Sequence, residues 1–115
     1  MKADYLTLTD GRRVRVEFNM NALDMFVKVT GKEMSDLTDG KADVGTLRTI
    51  AWCSAKEGEI IEGRELGIDE IHFGRLMNMA NIIEFSEILA SQSDTGHQKK
   101  SPERGRIPRI FFRKG

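Results

Sequence analysis

The sequence has one cysteine, Cys53, so no disulfide can close within the chain, and a reducing compartment is expected. Charge of one sign is not in surplus either. Eighteen basic side chains balance eighteen acidic ones, and no overall field steers the chain toward nucleic acid or an anionic surface. No apolar run approaches the roughly 18 residues that would suggest a membrane-spanning helix. Met1-Lys2-Ala3-Asp4-Tyr5 has no basic region leading into an apolar stretch, so neither secretion nor membrane insertion is expected. Despite eleven glycines, neither of the glycine-rich phosphate-binding patterns, Gly-x-x-x-x-Gly-Lys-Ser/Thr and Gly-x-Gly-x-x-Gly, occurs.

Groups that could carry chemistry are equally sparse. His72 lies between Ile71 and Phe73, His97 lies in the C-terminal stretch, and neither has a Cys or His partner at zinc-ligand spacing. Cys53, flanked by Trp52 and Ser54, has no base or cation beside it and reads as a small buried helical residue rather than a nucleophile. Asp36, Asp39 and Asp43 suggest a calcium loop, but no glutamate stands at the twelfth position that such a loop requires. No catalytic residue, metal or cofactor is assigned, and a binding protein is expected rather than an enzyme.

What is present fits one domain. A chain of 115 residues with 39% hydrophobic content can bury one modest core. Tyr5-Leu6-Thr7-Leu8 and Val14-Arg15-Val16-Glu17-Phe18 alternate apolar with polar around Thr9-Asp10-Gly11, which predicts a β-hairpin presenting Leu6, Leu8, Val14, Val16 and Phe18 on one face. A two-stranded ribbon is marginal alone, so that face must rest on the helices that follow. Asn19-Met20-Asn21 offers capping side chains to a helix carrying Leu23, Phe26 and Val27 as far as Gly31. A single turn is expected at Glu33–Leu37 and a loop at Asp39–Ala42.

Asp43 caps the next predicted helix, in which Val44, Leu47, Ile50, Ala51 and Cys53 face the core and Gly58 ends the run. Glu59–Gly67 reads as a glycine-rich connector. A further helix opens at Ile68-Asp69-Glu70 with Ile71, Leu76 and Met79 on its apolar side, and Asn78 either ends it or caps the next. The last helix carries Ile82, Ile83, Phe85, Ile88 and Leu89 to about Gln92. The expected class is therefore α+β, mostly α: a hairpin on four to five short helices over residues 1–92.

Residues 93–115 differ in composition. They hold seven basic and two acidic side chains, a surplus of five that residues 1–92 offset, and they show no helical period. They read as a disordered basic tail ending in Ile107-Pro108-Arg109-Ile110-Phe111-Phe112-Arg113, which mixes apolar bulk with charge as a docking peptide does.

The run from Val16-Glu17-Phe18-Asn19-Met20-Asn21-Ala22-Leu23 to Thr30-Gly31-Lys32 resembles the opening of tail assembly chaperones of long-tailed bacteriophages and gene transfer agents. The resemblance continues through the small helix Met34-Ser35-Asp36-Leu37 and through Leu47-Arg48-Thr49-Ile50-Ala51-Trp52, then over the two closing helices, so that residues 5–92 are covered. It implies a protein of the host bacterial cytoplasm that binds the tape measure protein and keeps it soluble while the tail tube polymerises, with the major tail tube protein as a candidate second partner. It also implies a longer frameshifted product, for which the Lys codons of Gln98-Lys99-Lys100 are the candidate slippery stretch.

The candidate partner-binding residues are Met20, Met25, Phe26, Met77, Met79 and Phe85, since methionine adapts to irregular partners, together with Ile110, Phe111 and Phe112 of the tail. Self-association would bury the same surface. The alternatives are a nucleic-acid-binding or regulatory protein that uses its basic tail on phosphates, and a minor structural protein of the tail.

Overall fold

The computed structural model describes residues 3–38 and 42–94. An antiparallel hairpin of β1 (Asp4–Thr7) and β2 (Arg13–Val16) is followed by α1 (Met20–Thr30), α2 (Ser35–Thr38), α3 (Val44–Ile61), α4 (Glu70–Arg75) and α5 (Met79–Asp94). This is the expected mostly helical α+β class. The predicted tail from residue 95 onward, with Ile110, Phe111 and Phe112, and the loop residues 39–41 lie outside the described residues.

The hairpin forms in the register that puts Leu6 opposite Val14, and both strands turn their alternate apolar residues inward. Its turn is held by Leu8 N–H to Arg12 O at 2.8 Å and by Arg12 N–H to the Asp10 carboxylate at 2.9 Å, with Gly11 at φ 91°. That positive φ is what glycine supplies most cheaply. Helix α1 starts where the Asn19 side chain accepts from Ala22 N–H at 3.1 Å and ends at Gly31 in the left-handed conformation.

Helix α3 is the centre of the packing: β2, α1, α4 and α5 all rest on it, while β1 packs on α5. The core it organises joins Leu6, Leu8, Val14 and Val16 of the hairpin segment to Phe26, Ile50, Cys53, Phe73, Phe85 and Leu89. Each fully buried phenylalanine contributes about 2–3 kcal/mol of transfer free energy, so Phe26, Phe73 and Phe85 are the heaviest members.

The expected end of α3 at Gly58 is corrected: the helix continues to Ile61. A β-carbon at Gly58 would lie 2.1 Å from Arg15 O, so this glycine serves a close crossing of helix and strand rather than a stop. Val44 also departs from expectation, being 63% exposed because it lies at the very start of α3, beyond the reach of the hairpin. Val27 and Ile83 likewise turn outward. The final helix passes Gln92 and includes Ser93, whose hydroxyl donates to Leu89 O at 2.7 Å.

Polar bonds fix the hairpin to the helices at both ends. Glu59, almost fully buried, accepts Arg15 backbone N–H at 3.0 Å and both forks of Arg64 at 2.9 Å. Glu62 accepts from Tyr5 Oη at 3.0 Å and Arg15 Nη1 at 2.9 Å. Near the turn, Asn81 Nδ2 donates to Thr7 O at 2.9 Å and Thr9 N–H to Leu76 O at 2.8 Å. At the open end of the hairpin, Gln92 donates to Asp4 and to Val16 O and accepts Phe18 N–H at 2.6 Å.

Candidate functional site

Where α3, α4 and α5 meet, their packing leaves a groove of about 300 Å³. Each helix contributes residues at the spacing that defines one helical face: Val44, Leu47 and Arg48 from α3, Ile71, Gly74 and Arg75 from α4, Ile82 and Phe85 from α5. Met77, in the link between α4 and α5, completes the lining. Phe85 is the buried floor, only 1% exposed, while Ile71 at the rim is half exposed.

The elements that build this groove are set by local chemistry. Asp43 caps α3 by accepting Thr46 N–H at 2.7 Å, and these bonds hold its carboxyl below the usual carboxylate range. Asp69 caps α4 in the same way through His72 N–H at 2.8 Å. Asn78 and Asn81 exchange side-chain-to-backbone bonds at 2.9 and 3.0 Å, a reciprocal cap that starts α5 and fixes the link carrying Met77. Trp52 Nε1 donates to Ile68 O at 2.9 Å and ties the approach to α4 onto α3.

Two cations, Arg48 and Arg75, line the groove, and no acidic side chain does. Arg48 is compensated: its Nε donates to Glu70 Oε2 at 2.9 Å, and that oxygen also accepts from Thr49 Oγ1 at 2.6 Å. The Arg75 side chain makes no hydrogen bond or ion pair among the described residues. Met79, one turn before Ile82 on α5, is 68% exposed, and Ile83, on the adjoining side of the helix, is 56% exposed.

The structure brings Met77 and Phe85 together in this groove, with Met79 beside it. Met20, Met25 and Phe26 do not join them, because they belong to α1, which packs on α3 and lines no part of the groove. Met20 is open to solvent and Met25 half-buried against the core. Phe26 is corrected as a contact candidate: its side chain has no exposed surface in the folded domain, so its role is in the core. The rim residues Val44, Ile71 and Arg75 were missed as site residues; only the repeated i, i+3, i+4 spacing hinted at them.

Elsewhere, Cys53 is buried, and that burial, with Glu70 as a second cause, pushes its thiol up to about 12. Among the described residues no group of three or more His, Cys, Asp and Glu is placed to hold a metal ion, and no helix is long and apolar enough to cross a membrane. Comparison with known protein families, characterised proteins and solved structures gives no match.

Proposed function

We propose that the protein binds an apolar helical segment of another protein, and that it acts as a tail assembly chaperone, holding a tape measure protein soluble in the bacterial cytoplasm during tail tube assembly. The observation that carries the binding reading is the apolar groove between α3, α4 and α5, whose lining includes the exposed aliphatic side chains of Val44 and Ile71. Contiguous apolar surface on a small domain is the usual mark of an interaction site. The resemblance of residues 5–92 to the chaperone family supplies the finer identity, and the order of elements supports it: a hairpin, a helix ending at Thr30-Gly31, a single-turn helix, the long helix bearing Trp52, then two closing helices.

Co-expression with a tape measure protein from the same genome tests the proposal. The full chain should raise the soluble fraction of that client and co-purify with it, whereas mature tails should contain little of it. Abundant copies in purified tails would favour the minor tail protein instead. Retention of random duplex DNA in place of the client would favour the nucleic-acid-binding alternative.

A further inference from the structure

We propose that the groove receives one amphipathic α-helix of a partner protein, seated by aliphatic side chains one turn apart and flanked by a carboxylate that pairs with Arg75. This deepens the protein-binding reading and rests on it, but it does not depend on which client is bound.

Shape favours a helix. At about 300 Å³ the groove is at the small end of ligand sites and cannot take a large apolar molecule. A small molecule filling it would touch Val44 and Ile71 of the lining but leave Met79, one turn before Ile82 on α5 and 68% exposed, uncovered. A helix about 10–12 Å across can cover the groove and that methionine together. The walls are helical, with their backbone groups bonded internally, so they offer no edge for an extended peptide to join as a strand.

Charge narrows the partner further. Glu70 neutralises Arg48, which leaves Arg75 as the charge of the lining that no described residue compensates. A segment with an acidic residue beside its apolar stripe gains a pairing there, and a basic segment meets repulsion. The chain's own apolar C-terminal stretch, interleaved with Arg106, Arg109, Arg113 and Lys114, is of the disfavoured kind.

The test uses the full chain and synthetic helical peptides of about four turns, with leucine at i and i+4 and Glu, Gln or Lys beside that stripe. Methyl NMR signals of Val44, Leu47, Ile71 and Ile82 report on the groove. The Glu peptide should shift these signals and bind about 10-fold more tightly than the Lys peptide at low salt, with the gap closing as salt rises. Arg75→Glu should invert the order, and Ile71→Asp should weaken all three peptides, with circular dichroism verifying that both variants fold.

Groove signals unmoved by any peptide, or moved equally by Glu and Lys, would overturn the proposal. So would signals that change on dilution, which indicate a second copy in the groove, or signals released by Phe111→Asp, which indicate the chain's own tail. A tape measure client held equally by wild type and Ile71→Asp removes the groove proposal and leaves the chaperone reading standing. Peptide binding as described without any client retention does the reverse.

Discussion

Gly58 sets how closely α3 and β2 approach. A methyl group there would collide with main-chain atoms of Arg15 and Val16, which cannot rotate away as a side chain would. Gly58→Ala should therefore cost about 3 kcal/mol through overpacking, read as a lower urea midpoint. Gly45→Ala is the control: it meets only the Asp43 carboxylate at an ordinary 3.6 Å, and it should leave stability unchanged or raise it by about 0.5 kcal/mol. Cys53 gives a second expectation at this scale. With its thiol pushed up to about 12 by burial, it should resist iodoacetamide at pH 8 in the native protein and react once urea unfolds the chain.

Helix starts were the most legible elements in the sequence, because a cap is a local bond between a side chain and a backbone three residues on. Asn19, Asp43 and Asn78 were readable for that reason, and Gly31 was readable as an end. Asn19 also donates to Glu57 at 3.0 Å and so joins α1 to α3. Asn19→Ala should cost about 1 kcal/mol in a denaturant melt, and Asn19→Ser, which keeps the capping oxygen, should recover most of it. Where the sequence misled, the deciding contact was distant along the chain. Gly58 looked like a terminator but meets β2, more than forty residues earlier. Val44 and Ile71 fitted apolar stripes that continue past the core onto open surface. The groove was illegible because it needs three helices at once, and Gly74, which lets the Arg48 side chain lie against α4, carries no periodic signal at all.

At the scale of the whole molecule, the hairpin is fastened to α3 by carboxylates. Arg64 holds the Glu59 carboxyl below its ordinary value, and the hydrogen bonds from Tyr5 and Arg15 do the same for Glu62. A carboxyl that is more acidic folded than unfolded stabilises the fold above its unfolded value, and that contribution is lost as pH falls through the folded one. Melting temperature should therefore hold near neutrality and fall progressively below about pH 4.5. Glu59→Gln should melt lower at pH 7 and show a shallower decline in acid. Opposite behaviour, with stability gained on acidification, would contradict the arrangement.

Gln92 fastens the beginning of the domain to its last helix, touching Asp4, Val16 and Phe18 with one amide. The close of α5 consequently lies beside the start of β1, with Asp94 about 18 Å along the helix from Ile82. Loosening that amide would therefore free the entry into the hairpin and the close of the last helix together.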